Sequence, residues 1–166
     1  MTSQEEIIVG RWDRGSVAQS RALSVLLGDY HRQTEAEKGA AVDVIGALPA
    51  RYRLEVVDPG TAFADDVVLV AQQGDQPAGC VVITDAGDRQ LEIKRLWTAP
   101  EFRGRRVASR LLAAVEAHAE VVGADSIRLS VWEWRVDAIG LYRKLGFIEA
   151  SSWETRDGLI CMTRAV

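Results

Sequence analysis

Three strand-like runs follow one another with only short turns between them, and this order limits the fold more than any other feature of the chain. The runs are DVVLVAQQ (66–73), AGCVVITD (78–85) and QLEIKRLWTA (90–99), joined by GDQP and AGDR. Apolar runs bounded by such turn residues pair as neighbouring antiparallel strands. In the third run Leu91, Ile93 and Arg95 alternate against Glu92, Lys94 and Leu96. The period then changes. From residue 104 to about 122, Val107, Leu111, Leu112, Val115 and Ala119 share one helical face. SIRLSVW (126–132) is the next strand. A helix between two strands is a crossover, so the fourth and fifth strands run parallel.

The flanks follow the same logic. EEIIVGRW (5–12) reads as a first strand. Residues 16–38 read as a helix with Ser16 as N-cap, Gly39 as the stop and Gly28 as a break or bend. A second helix is expected over 41–48, ending before Pro49, and residues 49–66 carry no clear period. RVDAIGLYRKLG (135–146) is a helix closed by Gly146, and FIEASSWE and GLICMTRA are two final strands. The expected class is α/β (α+β): a mixed, mostly antiparallel sheet of about seven strands with about four helices on its faces.

With 166 residues, 48% of them apolar, and no Pro/Gly/Ser-rich linker, one domain over 1–166 is expected. The net charge of -4 argues against nucleic acid as a partner, so positive charge matters only where it is local. Cys80 and Cys161 sit in apolar runs and read as buried thiols, and no Cys/His spacing suggests a metal. The first residues do not resemble a signal peptide, and no apolar run approaches the ~20 residues of a membrane span. A cytoplasmic protein with no membrane partner is the expectation.

Local positive charge is found in APEFRGRRVASRLL (99–112), where Arg103, Arg105 and Arg106 surround Gly104 at the start of a helix. The first turn of a helix exposes unpaired N–H groups and a partial positive charge, which together make an anion site. Glycine lets a bulky anion come close, and arginine forks suit phosphate oxygens. A solvated cluster paired with Glu101 and Glu116 is the competing explanation. The stretch is neither GxxxxGK[ST] nor GxGxxG.

RLWTAPEFRGRRVASRLL followed by AIGLYRKLGF resembles the GNAT superfamily of acyl-CoA-dependent N-acetyltransferases. That family's phosphate loop reads Arg/Gln-x-x-Gly-x-Gly/Ala. Here Arg103 fills its first position and Ala108 its last, while Arg106 stands where glycine is usual. The resemblance implies acetyl-CoA as co-substrate and no metal. Its pantetheine arm would pair with the backbone of Leu96, Trp97 and Thr98, and its pyrophosphate would sit over Gly104, Arg105, Arg106, Val107, Ala108 and Ser109. Arg135 replaces a common asparagine at the start of the next helix, where it would contact nucleotide phosphates or solvent.

The implied reaction is direct attack by a primary amine on the thioester. The ammonium must lose a proton, and the leaving thiolate gains from a donor. Tyr142 matches the family's tyrosine that faces the sulfur; a packed aromatic is the alternative. Glu92 matches a glutamate that deprotonates the amine in some members; a surface carboxylate paired with Lys94 or Arg128 is the alternative. Ser130 lies where other members place a glutamate, and serine is a poor base. Asp29 and Glu35 are candidates for binding an amine or simply a polar helix face. His31 and His118 read as structural or surface residues. Trp132, Trp134 and Trp153 suit core packing, a substrate wall or the contact of a homodimer. The function expected is N-acetylation of a small-molecule or protein amine, with a catalytically silent acyl-CoA sensor or scaffold as the alternative.

Overall fold

A computed structural model describes residues 5–166. Strand β1 is Ile7–Arg11, β2 Val67–Gln73, β3 Gln76–Asp85, β4 Gln90–Thr98, β5 Ser126–Trp132, β6 Ile148–Glu149 and β7 Leu159–Ala165. They form one sheet in the order β1-β2-β3-β4-β5-β7-β6. Helix α1 is Val17–Glu37, α2 Ala50–Val57, α3 Pro59–Ala62, α4 Val107–Val122 and α5 Val136–Lys144. The mixed α/β architecture expected from the sequence is the one found. β4 and β5 are parallel, with Gln90–Ile93 opposite Ser126–Leu129, as the crossover through α4 requires. β7 runs antiparallel to β5 and to β6.

Local chemistry explains most boundaries. The Ser16 side chain accepts from the Gln19 amide at 3.2 Å and so starts α1. The helix then passes through Gly28 without a break, one of the two outcomes expected there. Gly28 is a packing residue: a Cβ on it would lie 3.2 Å from Ile45 Cδ1. The helix expected over 41–48 shrinks to a single 3-10 turn, Ile45–Ala47, and α2 begins after Pro49 instead. Proline lacks an N–H, and a helix start is where that N–H is not needed. FIEASSWE yields only the two residues of β6.

The described chain divides into two compact units. One takes the chain up to Val82 together with Arg95–Leu111, and the other takes Ile83–Lys94 with Leu112–Val166. The core of the first includes Leu23, Leu26 and Leu27 of α1, Val68 of β2, Val81 of β3 and Leu111 of α4, all almost wholly buried. The second is built on Ile127, Leu129 and Val131 along one face of β5, with Val115 of α4 and Met162 of β7. Arg128, Ser130 and Trp132 alternate onto its other face.

Candidate functional site

In the first unit, β4 ends at Thr98, a 3-10 turn covers Pro100–Phe102, and α4 begins at Val107. The first hydrogen bond of α4 runs from the Arg110 amide to the Arg106 carbonyl at 3.1 Å. The amides of Val107, Ala108 and Ser109 therefore precede the helical ladder and have no acceptor within the helix. Gly104 has φ +80, and the space where a side chain would sit is open. Arg106, in the place of a usual glycine, takes φ +61. A left-handed residue other than glycine costs about 1–2 kcal/mol, and Arg106 carries that cost here.

The segment expected to hold the coenzyme arm reaches the same place. A Cβ at Gly79 of β3 would lie 2.5 Å from the Trp97 carbonyl oxygen and 2.9 Å from Val107 Cγ1. Only a bare backbone at 79 lets the end of β4 and the start of α4 close together. Trp97 is buried, and among the described residues its Nε1 has no hydrogen-bond partner. Arg103 lies 5.1 Å over the Trp97 ring and donates to Gln33 at 3.4 Å, while Arg105 lies 5.2 Å over Phe102 and donates to Gln73 at 3.2 Å. Both guanidiniums flank the open loop, and the weak bonds they make leave donors over. Leu96 and Thr98 are half-buried beside them. This donor set suits a diphosphate carried on an extended, amide-bearing arm.

A buried polar network, which the sequence did not reveal, lies in the same unit. Arg95 in β4 has φ +57, a left-handed residue inside a strand. Its Nε donates to Glu55 Oε1 at 2.7 Å and its Nη2 to Glu55 Oε2 at 3.2 Å. His31 Nε2 meets Glu55 Oε2 at 3.0 Å, so neutral His31 carries its proton on Nε2 and donates it. Tyr52 stacks on His31 with ring centres 4.5 Å apart. Tyr30 meets His31 edge-on, and Arg51 caps Tyr52. Glu35, also buried, pairs with Lys38 at 3.1 Å. Asp29 is exposed, and partial burial raises its carboxyl, more than Arg32 lowers it.

Burial lowers His31, and the hydrogen bond and charge of Glu55 only partly offset that. Burial raises the Glu55 carboxyl, but hydrogen bonds from His31 and Arg95 overcome it and leave Glu55 below its ordinary value. In both groups the folded value is depressed, so protons bind the unfolded chain more readily. Their contribution to stability is present above the unfolded value of 6.5 for His31 and is lost as pH falls below it, with Glu55 adding its share below 4.5. Urea midpoints are expected to fall between pH 7 and 5, with a slope of at most about 1.4 kcal/mol per pH unit for one proton. A His31→Gln protein should show a flatter profile; equal slopes in the two proteins would remove His31 as the cause.

In the second unit, Glu92 has each oxygen engaged, Oε2 by Lys94 at 3.3 Å and Oε1 by Arg128 at 3.4 Å. The Arg128 contact is an ion pair without hydrogen-bond alignment, since Arg128 Nε has no hydrogen-bond partner among the described residues. Tyr142 is buried on α5 and meets Phe147 edge-to-face at 5.7 Å. Arg135 heads α5, its carbonyl accepting from the Ile139 amide at 3.1 Å. Ser130 donates to Glu154 Oε1 at 2.8 Å. A carboxylate thus stands beside Ser130 although residue 130 does not supply it. Burial pushes Glu154 up, but bonds from Ser130 and Arg156 leave it lowered. Trp132 stacks on Trp134 at 4.7 Å, and Arg128 lies 4.8 Å over Trp153. Burial pushes the Cys80 thiol up to about 12, so it is an inert core group, and Cys161 is buried as well. Among the described residues, no group of three or more His, Cys, Asp or Glu could hold a metal ion, and no helix is long and apolar enough to cross a membrane.

Comparison with known proteins gives this geometry a context. An "IAA acetyltransferase" of Azospirillum brasilense is 33% identical over 107 residues, which are 63% of this chain and 70% of that protein. A thialysine N-epsilon-acetyltransferase of Sus scrofa is 30% identical over 70 residues, 40% of this chain and 41% of that protein. Among solved structures, the PaiA N-acetyltransferase of Thermoplasma acidophilum, in complex with coenzyme A, superposes with a TM-score of 0.71 at 15% identity, over 97% of this chain and 99% of that one. At that identity the likeness shows the fold alone. The model of the acetyltransferase (GNAT) family matches residues 41–147, more than half of the sequence, and the chain belongs to that family.

Proposed function

We propose that this chain, acting as one domain over 1–166, moves an acetyl group from acetyl-CoA directly to a primary amine. The observation that carries the reading is the convergence over Gly79 of the Trp97 backbone with the start of α4, where three amides precede the helical ladder. The coenzyme A bound by the PaiA neighbour and the acetyltransferase names of the relatives support it.

Acetyl-CoA, when bound, supplies an activated acyl carbon on a thiol leaving group. The backbone of Leu96, Trp97 and Thr98 would hold its arm. Gly104, the amides of Val107, Ala108 and Ser109, and the Arg103, Arg105 and Arg106 side chains would hold its phosphates, with Arg135 at the nucleotide. Glu92 would take the proton that the ammonium must lose, directly or through water. Tyr142 would give a proton to the departing sulfur. One N–C bond forms and one C–S bond breaks; of the two protons the ammonium loses, the first goes to Glu92 and the second, shed by the tetrahedral adduct, would restore the Tyr142 hydroxyl after it has protonated the sulfur. The acceptor is a small-molecule or protein amine, met in the cytoplasm. Metal, membrane and nucleic acid have no part in this reading.

The test is calorimetric titration with coenzyme A, together with thiol release from acetyl-CoA across a panel of amines. Binding and release support acyl transfer. Binding without release on a broad panel supports a silent acyl-CoA sensor instead, and no binding removes both. Arg103→Ala with Arg105→Ala should weaken coenzyme A by about 1–3 kcal/mol, or about 5- to 150-fold in Kd. Unchanged affinity would leave the backbone alone as the phosphate site.

A further inference from the structure

We propose that the His31–Glu55–Arg95 network is a positioning device: it holds a left-handed kink in β4 and thereby aims the backbone of Leu96–Thr98 at the coenzyme arm. The inference rests on the acyl-transfer reading for its ligand, but its structural half stands on the network itself.

The parallel ladder joins Gln90–Ile93 of β4 to β5, and two residues later Arg95 has φ +57. A left-handed residue within a strand bends it, much as a bulge does. Arginine has no intrinsic preference for this conformation, so it persists only where its surroundings over-determine it. They do so here. Glu55 holds the guanidinium at two nitrogens, at 2.7 and 3.2 Å. The rings of Tyr30 and Tyr52 lie 5.7 and 5.4 Å from it. The Arg95 carbonyl accepts from Cys80 Sγ at 3.6 Å. Two residues on, the Trp97 carbonyl is seated against Gly79.

Glu55 is itself pinned. Its Oε2 accepts from His31, which is 2% exposed and stacked on Tyr52. A buried ion pair is a poor source of net stability compared with apolar residues of equal volume. Its presence is better explained by what it fixes in place, and the fixed object is the strand segment that leads through Trp97 into the loop before α4. The network joins α1 and α2 to that segment, and α1 also touches it directly through Tyr30 against the Trp97 ring and Gln33 beneath Arg103.

The experiment uses the whole protein, with coenzyme A as the probe. In Glu55→Gln, the carboxylate's charge is lost and an NH2 donor replaces one of its two acceptor oxygens. The Kd for coenzyme A should rise at least tenfold, and the Cα and Cβ carbon shifts of residue 95 should move from left-handed towards extended values. In the double variant Glu55→Gln with Arg95→Gly, the uncompensated guanidinium is gone and glycine accepts positive φ without an anchor. Affinity should return to within about threefold of the parent, a recovery that a general loss of stability would not give. The positioning role is overturned if Glu55→Gln leaves Kd and the carbon shifts unchanged, or if the double variant binds no better than the single one. A parent protein with no affinity for coenzyme A defeats the acyl-transfer reading and the coenzyme half of this inference. Even then, the carbon shifts of residue 95 decide whether Glu55 holds the kink.

Discussion

Replacing Tyr142 with phenylalanine is expected to lower turnover by about 10²- to 10⁴-fold, the usual span for loss of a positioned proton donor, while the affinity for coenzyme A stays within about threefold. Phenylalanine keeps the ring, so the edge-to-face contact with Phe147 at 5.7 Å survives. The apolar burial of this position on α5 survives with it. What is removed is one hydroxyl, and with it the acid that would meet the sulfur as the C–S bond breaks. A group acting only in the transition state changes kcat and kcat/KM together and leaves ground-state binding alone. The measurement is single-turnover thiol release at saturating acetyl-CoA beside a binding isotherm. Equal loss in both would mean that Tyr142 packs the site without acting in it, and full turnover would exclude it from the reaction.

The second large effect is structural. Gly79→Ala should destabilise the fold by about 3 kcal/mol, the upper end of overpacking costs, and should also raise the Kd for coenzyme A. The added methyl would stand 2.5 Å from the Trp97 carbonyl oxygen and 2.9 Å from Val107 Cγ1. A flexible side-chain tip could swing aside. A backbone carbonyl in a sheet can yield only by shifting the strand, and Val107 is buried at the first turn of α4. Either adjustment separates the two backbone segments proposed to hold the coenzyme. Urea unfolding and calorimetry on the same sample test both halves. A variant with parental stability and affinity would show that the close approach over Gly79 is not a requirement of the fold or of the site.

The parts of the fold legible in the sequence are those whose signal is local. β2 and β3 are largely apolar runs between turn residues, β4 and β5 alternate apolar with polar residues, and α4 shows one clean apolar face, so their order and the parallel pairing through the crossover could be read directly. The stretch around Pro49 could not. Val42, Val44, Ile45 and Leu48 have a helix-like spacing, yet only a 3-10 turn forms there and the helix lies beyond the proline. Spacing alone does not tell which side of a proline a helix occupies. The candidate site residues divide in the same way. The arginine-rich loop and Tyr142 are marked by neighbouring residues. Glu55 is marked by nothing nearby, because its partners are His31, 24 positions away, and Arg95, 40 positions away. The pairing of Ser130 with Glu154, again 24 positions apart, is equally hidden. Contacts of that separation are products of the folded topology.

The conformation of Arg106 bears on how relatives of this chain are found. The loop is defined by a dihedral angle, φ +61 at a residue that is not glycine. A pattern written in letters and demanding glycine at that place would pass this sequence over. A pattern written in backbone states would accept it, and would also admit asparagine or aspartate, the side chains that tolerate such angles best after glycine.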